Sequence, residues 1–552
     1  MIAERFSARP LGRHDVCVIG SGHAGLVLAL EAARRGLRVL VLESGGRRPD
    51  AAAQALSDAE IVAPARHDPM AIAVARRLGG TSNIWGVRCQ PFDPIDFEPR
   101  PDIVAARWPI GYSDIAPYYP AAVGYLTAGD MTFSAEIPGL ALSDDAFEAV
   151  RQERFSRIAA VQAPYLAKLE ASEAIDIRLN STVVDLAIEA GRVARLTVAD
   201  PDGTRHTIDA GTVVLACGGL ESTRQLLAVQ RKHPDLLGGP DGPLGRYYMG
   251  HIIGEVADVA FASDTVDAAY DFRLDGHGSY ARRRFIPSDA TQRAERLLNV
   301  SFWPVVPPIA DPRHRSGVLS LACLAFAIPP IGRMVIAEAI RKRHIPDRLD
   351  WGGHLGNLVA DLPRAAVTMS RFLWRRYVTR PRMPGFFIRN AARRYGLSYH
   401  AEQSPQPDSR VRLGADTDRL GLPRLVIDYR FARADAEAVF RAHQGLAAWM
   451  ARTGVGTVTY RQPEADTVDA ILALAAHGTH QIGTARMGAG PDEGVVDRDL
   501  RCFGLDNLYV ASSAVFPTSG QCNPTLSIAA FSIRLAEHLA TVRRPGGGSV
   551  AA

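Results

Sequence analysis

Two side chains toward the C-terminal end have the types and the setting for proton chemistry. His480 lies in HGTHQIGTARMG, residues 477–488, flanked by Thr479, Gln481 and Gly483 rather than by an apolar stripe. Asn523 stands just before Pro524 and Thr525, where an apolar helix is expected to run to about residue 539. An imidazole titrates near neutrality and can take a proton from a hydroxyl. A carboxamide both donates and accepts hydrogen bonds, so it can hold an oxygen in place. Pro524 suits the first turn of a helix, where its missing N–H has no intrahelical partner. The free N–H groups of that turn suit a developing negative charge. A plainer account remains open, a loop histidine with a structural role. His477 is an equal candidate on the same grounds, and spacing does not separate the two.

The elements that must position these groups begin at the other end, in VCVIGSGHAGLVLALEAARRGLRVLVLES. Residues 15–19 read as a buried strand, residues 23–35 as a helix and residues 38–42 as the next strand. Between the first strand and the helix lies GSGHAG, with Gly20, Gly22, His23, Ala24 and Gly25. This is the context a dinucleotide fingerprint requires. Gly20 allows the tight turn, Gly22 lets a pyrophosphate approach the backbone, and Gly25 lets helix and strand pack closely. Glu43 closes the second strand, followed by Ser44, and would accept hydrogen bonds from ribose hydroxyls. The fingerprint alone does not separate FAD from NAD. A second glycine-rich stretch, LGGTSNIWG at residues 78–86, holds Gly80, Thr81, Asn83, Trp85 and Gly86. It has no strand-then-helix context, which leaves backbone lying against a flat ring system or a surface loop.

Further strands are expected at residues 177–188, 193–198 and 206–208, as a small antiparallel insertion. GTVVLACGG, residues 211–219, again runs an apolar strand into glycines, past Ala216 and Gly218. It is expected to rejoin the parallel sheet. A short apolar strand at residues 507–511 leads into Ser512 and Ser513. The nucleotide domain is therefore expected to be discontinuous, comprising residues 1–254 and 471–552. Residues 255–470 read as a mixed sheet with covering helices, one over residues 434–451, and as the place of substrate selection. The fold class is α/β: a discontinuous Rossmann-like domain with a mixed-sheet substrate-binding domain.

Composition narrows the partners. The 552 residues are too many for one core, and a net charge of +4 makes no case for nucleic acid. The six cysteines form no CxxC pair and suit neither a disulfide framework nor a zinc site, so no metal is expected. The first fifteen residues have no apolar targeting core, which points to the cytoplasm. Residues 316–332 carry no charge, but they are short for a bilayer span of about 20 residues and contain Pro329 and Pro330. A buried segment is expected there. RFLWRRYVTRPR, residues 371–382, mixes arginines with Phe372, Trp374 and Tyr377. It reads either as a surface for peripheral membrane or partner contact, or as a solvated helix end packed by its aromatics.

These motifs, in this order, resemble the glucose–methanol–choline (GMC) family of FAD-dependent oxidoreductases over nearly the whole chain. GSGHAG with Glu43, LGGTSNIWG, LACGGLESTRQLL, EQSPQPDSRVRLG, HQIGTARMG, GVVD and SGQCNPTLSIAA carry the resemblance. It implies that His480, not His477, is the catalytic base, with Asn523 beside it. It implies FAD as hydride acceptor at flavin N5, with the ADP half on Gly20, Gly22, Gly25 and Glu43 and the ring near Asn83, Trp85 and Gly86. The backbone of Val183 would meet the adenine, and Ser512 and Ser513 the pyrophosphate and ribityl chain. Many members carry an acid where this chain has Ser512. Where some members attach FAD through a histidine, this chain has Ile84, so non-covalent FAD is expected. The motifs look most like the family's bacterial sugar and polyol branch. That implies a sugar, glycoside, aminoglycoside or cyclitol alcohol as substrate, with oxygen, a quinone or another carrier as electron acceptor. A non-carbohydrate alcohol is the nearest alternative, and a non-redox lyase or flavoprotein scaffold the next.

Overall fold

In a computed structural model, residues 1–542 are described except 9, 102–105, 141–143, 329–347 and 386. The centre is a six-stranded parallel sheet. Its order is Ile2–Ala3, Ile175–Arg178, Val39–Leu42, Val16–Ile19, Thr212–Leu215 and Leu508–Val510. Parallel strands covered on both faces become unbroken apolar runs. Accordingly every residue of Val16–Ile19, Val39–Leu42 and Leu508–Val510 is buried. Helices His23–Arg34 and Thr525–Val542 pack against each other, so the first and last helices lie side by side. The nucleotide-binding region is thus discontinuous, with an α/β fold.

One expected strand divides. Residues 177–188 separate into Ile175–Arg178, which joins the parallel sheet, and Thr182–Glu189, which pairs antiparallel with Arg192–Ala199. Asn180, at φ +51°, turns the chain between them. Asparagine tolerates this left-handed conformation better than most side chains.

The second region is built on an antiparallel sheet in the order Val300–Val305, Arg394–Ala401, Ile252–Phe261, Gly456–Tyr460. Side chains alternate across a strand. Phe302, Leu397 and Tyr399 go into a core shared with Leu446 and Trp449 of the helix Arg433–Thr453. Ser301 and His400, paired across the sheet, take the other face. Two small sheets flank this unit. One joins Arg88–Cys89, Gln152–Phe155, Tyr280–Arg283 and Arg273–Leu274; the other joins Arg410–Thr417, Pro423–Asp428 and, in parallel, Glu60–Ile61. The strands of this half therefore form a mixed set.

Between the neighbouring strands Val300–Val305 and Arg394–Ala401 the chain inserts two paired helices, Gly317–Ala327 and Trp351–Leu373. The burial expected over residues 316–332 is only partial. Val318, Leu319 and Cys323 are buried, but Leu321 and Ile328 are exposed, and residues 329–332 lie outside the described residues. A short helix buries one stripe, and an uncharged sequence does not determine whether anything covers the other. Among the described residues no helix is long and apolar enough to cross a membrane. All six cysteines are free, and all but Cys217 are buried.

Gly25 marks the tightest joint of the nucleotide half. A Cβ there would collide with the backbone carbonyl of Gly20, whereas one at Gly22 would meet nothing within 4 Å. Gly25→Ala is expected to cost about 1–3 kcal/mol, as overpacking does, and to lower the thermal midpoint by several degrees. Gly22→Ala should leave the midpoint of the flavin-free polypeptide unchanged. Equal midpoints in scanning calorimetry for both variants would contradict this packing.

Candidate active site

A cleft of about 1650 Å³, including its mouth, runs along the C-terminal ends of the central strands. Ligands of open α/β sheets bind at such edges. Glu43 stands in one part of the cleft lining, and His480, Asn523, Pro524 and Thr525 in another. Gly20 adopts φ +104°, and a Cβ there would meet the carbonyl of Ala216 at 2.6 Å, so only glycine fits the turn. The helix His23–Arg34 begins at Gly22 with no side-chain cap, leaving its first N–H groups directed to the cleft.

Glu43 is buried and accepts hydrogen bonds from Ser21 N (3.0 Å), Ser21 Oγ (2.6 Å) and Gly45 N (2.9 Å). Burial raises its pKa, against those hydrogen bonds and the positive charge of Arg76. Arg76 in turn bonds Ser57 Oγ and Ser44 Oγ and pairs with Glu221 at 2.6 Å. Val183 lines the cleft with its carbonyl already engaged by Gln225 Nε2 at 3.0 Å.

The loop at residues 78–86 folds over this cleft. Gly79 N donates to Ser21 Oγ at 3.2 Å, which ties the two glycine-rich segments together. Gly80, Thr81, Trp85 and Gly86 line the cleft, and a Cβ at Gly86 would meet nothing. Trp85 stands edge-on to His23, ring centres 4.5 Å apart, and its Nε1 donates to Ala159 O. Asn83 is turned away: its amide donates to Leu78 O and Gly80 O and holds the loop's own turn. Gly25 also lies behind the cleft rather than in its wall, in keeping with a packing role.

Ala24, Gly218, Ser512 and Ser513 complete the lining named from the sequence. Ser512 Oγ accepts from Ala514 N, and Ser513 Oγ donates to Gln481 O at 2.6 Å. Thr182, Arg224, Gln225 and Gln481 also line the cleft. Arg224 and Gln225 stand in LACGGLESTRQLL and Gln481 follows His480 in HQIGTARMG, but the motifs gave them no role; Thr182 stands in a strand with no motif.

The two chemical side chains meet. Asn523 Nδ2 lies 3.0 Å from His480 Nε2. With the amide donating there, the His480 proton sits on Nδ1, and this atom is 2.8 Å from Nδ1 of the fully buried His251. His400, whose Nδ1 donates to Gln521 O at 2.6 Å, stacks on His251 at 4.1 Å. His477 does not line the cleft. It is buried behind His480, with its N–H on Arg66 O and its Nδ1 accepting from His480 N. Burial pushes the His480 pKa well below 6.5, helped by His477, His251 and the charge of Arg88. Burial also lowers His251 and His400, and takes His477 to about 3. All four rings are therefore neutral bases or donors at ordinary pH. Neither His251 nor His400 was distinguished by the sequence. His400 lies two residues before the matched EQSPQPDSRVRLG, and alternation places it on a sheet face without saying what that face meets.

Beyond His400, Trp303 carries three guanidinium groups over its ring: Arg284 at 4.3 Å, Arg88 at 4.6 Å and Arg282 at 5.1 Å. They share Glu153. Burial works against that carboxylate's charge, yet the three arginines hold it at about 2; burial also takes Arg282 to about 10 and Arg284 to about 9.

The donor set fits FAD: a glycine turn and open helix end for phosphates, a buried acid for ribose, and glycine backbone open where a flat ring would lie. Comparison with known proteins agrees. Residues 405–532 match the family described as GMC oxidoreductase, and residues 15–285 the family described as FAD dependent oxidoreductase. Paromamine 6'-oxidase of Streptomyces fradiae is 26% identical, over 95% of this chain and 91% of its own. 6'''-Hydroxyparomomycin C oxidase of Streptomyces lividus is 25% identical, over 96% and 92%. The structure of pyridoxine 4-oxidase from Mesorbium loti superposes with a TM-score of 0.54 at 17% identity, covering 95% of this chain and 99% of that one, which speaks for the fold. With the family matches falling on the glycine turn at one end and the His480–Asn523 pair at the other, the chain is an FAD-dependent oxidoreductase acting on CH–OH donors, similar to GMC oxidoreductases over its C-terminal part.

Proposed function

We propose that this protein oxidises a CH–OH group of a carbohydrate to the carbonyl, using non-covalently held FAD. The observation that carries the reading is the contact between His480 Nε2 and the Asn523 amide at the inner wall of the cleft. The two aminoglycoside oxidases, alike over most of their lengths, support a sugar-like alcohol. On this reading residues 255–470 add to the wall of the cleft through Asp418 and Leu422, and help to exclude water from it.

When bound, FAD supplies the acceptor for the hydride that leaves the alcohol carbon. The alcohol oxygen enters between His480 and Asn523 in place of their direct contact. His480 takes the hydroxyl proton at Nε2, while Asn523 donates to the same oxygen and fixes its direction. His251 accepts from His480 Nδ1–H, which holds the tautomer whose Nε2 is free and shares the positive charge once the proton arrives. The N-terminal turn of Thr525–Val542, in the cleft lining, would offer free N–H groups to the flavin and hold negative charge there. A substrate panel read by anaerobic bleaching of the flavin tests the function. Bleaching by sugars, glycosides or aminoglycosides is expected, and bleaching confined to non-sugar alcohols would overturn the reading.

Ile84, at the position of a possible attachment, has no nucleophilic atom. Acid precipitation is therefore expected to release all the flavin into the supernatant, and flavin in the pellet would refute non-covalent binding. Gly22→Ala, which places a methyl in the open cleft, should purify with less flavin.

His480→Ala should slow flavin reduction in stopped flow by about 10²–10⁴ with flavin still bound. Asn523→Ala should lose less, and His477→Ala little. His251→Asn, which keeps an acceptor near Nδ1, should retain far more rate than His251→Leu. A merely structural role would give the two His251 variants equal losses.

The neutral imidazole is the competent base. Burial first, then neighbouring rings and Arg88, places His480 protonation below the ordinary 6.5. Flavin reduction should thus stay level as pH falls from about 8 through 6.5 and decline only below that. Arg88→Gln removes a repelling charge and should move the decline to higher pH. A decline centred above 6.5 in the unmodified protein would contradict this setting.

A further inference from the structure

The helix Trp351–Leu373 has its amphipathic pattern reversed. Its polar side chains face inward against the paired helix Gly317–Ala327 and the turn before it. His354 Nδ1 meets Ser320 Oγ at 3.0 Å, Asn357 Nδ2 donates to Pro312 O at 2.8 Å, and Asp361 accepts from Gly317 N at 2.9 Å. Its apolar side chains face outward: Trp351, Leu355, Val359, Leu362 and Val367 are exposed, with Val359 82% accessible. These positions recur at steps of three to five residues and fall within one half of the helix circumference. None of the exposed positions described for this helix carries a carboxylate. The helix that carries the stripe is 23 residues long, about 34 Å at the α-helical rise. An ordinary surface helix shows the opposite arrangement, and an apolar patch of this size marks a contact surface.

The stripe ends in positive charge. Trp374, exposed, follows the helix, and Arg371, Arg380 and Arg382 are exposed beside it. Among the described residues no carboxylate pairs with these three arginines. A tryptophan at each end of an apolar face and arginines at one end match the layers of a bilayer surface: acyl chains for the aliphatic stripe, the headgroup boundary for the indoles, anionic headgroups for the guanidiniums. Between Trp351 and Arg371 the hydrogen-bonding side chain among the described exposed positions of this face is Ser370, whose hydroxyl already donates to Ala366 O, so the face offers a partner protein little but apolar surface. The helix is too polar on its inner side to span a membrane, so it lies along the surface.

The geometry points to peripheral docking of this protein on an anionic lipid bilayer through the outer face of Trp351–Leu373 and the arginines that follow it. The docking helix belongs to an insertion between two strands of the substrate-side sheet, one of which carries Trp303 and the other His400. The reaction chamber would thereby sit next to the membrane surface. The docking does not depend on which alcohol is oxidised.

The test is co-sedimentation of the flavin-loaded, full-length protein with vesicles of phosphatidylcholine alone or with one quarter phosphatidylglycerol. Binding is expected to the anionic vesicles and to weaken in high salt. Arg371→Ala and Arg380→Ala should each lower the partition coefficient about fivefold. Val359→Glu with Leu355→Glu should lower it about tenfold or more, since both side chains would leave the acyl region. Val359 and Leu355 face outward, so unchanged flavin absorbance and thermal midpoint certify the fold of the double variant. Equal sedimentation of the double variant would overturn the proposal. So would failure of the unmodified protein to bind anionic vesicles, including the case in which it is a dimer that the double variant splits, which would assign the face to a second copy of the chain.

Discussion

Exclusion of water around His251, His400 and His477, with His480 half-buried at the wall of the cleft, is the constraint on which the chemistry depends. His480, His251, His400 and His477 lie close enough for their ring nitrogens to fall within 4.8 Å of one another. In water such a group would exchange protons freely near neutrality. Buried together, each ring makes a charge on its neighbours costly, so the cluster waits neutral and its hydrogen bonds decide where the lone pairs point. The 2.8 Å contact between two Nδ1 atoms is too short for two ligands of one metal at about 2.0–2.1 Å each in tetrahedral geometry. It is a hydrogen bond, and it orders the ring.

The fold creates this dryness by bringing distant chain together. His480 comes from a loop beside the parallel sheet, His400 and His251 from the antiparallel sheet opposite, and Asn523 from the approach to the last helix. The same arrangement places phosphate-binding backbone and proton-handling side chains along one cleft. Strands need no polar side chains at their ends to do this. What they need is glycine where backbones nearly touch, at Gly20 against Ala216 and at Gly25 against Gly20.

Local chemistry was legible in the amino-acid sequence; long-range company was not. Glycines, strand, helix and acid at residues 15–43 are consecutive, and their meaning depends only on each other. His480 and His477 share the same surroundings in sequence. They differ in space because Gly478 packs its backbone against His67 and turns His477 inward. His251 and His400 reach the site from strands far away, and nothing beside them in the chain announces that. Asn83 sits in the right loop, but its amide closes a turn with Leu78 and Gly80, a choice made by backbone carbonyls that no residue pattern records. The uncharged run at residues 316–332 carries the same lesson. Hydrophobicity states what a segment would gain by burial, and only its neighbour decides which face is buried.

The sixth strand of the central sheet, Leu508–Val510, has one further consequence. During translation the chain emerges in order, and the strands at residues 16–19, 39–42, 175–178 and 212–215 leave the ribosome with one edge of their sheet open. Nearly three hundred residues, the whole of the opposite half among them, follow before that edge can close, and the helix Thr525–Val542 comes later still. An open edge of parallel strands is sticky to other chains. The nascent protein must therefore carry its most aggregation-prone surface through most of its own synthesis, and the cofactor pocket is finished among its last parts.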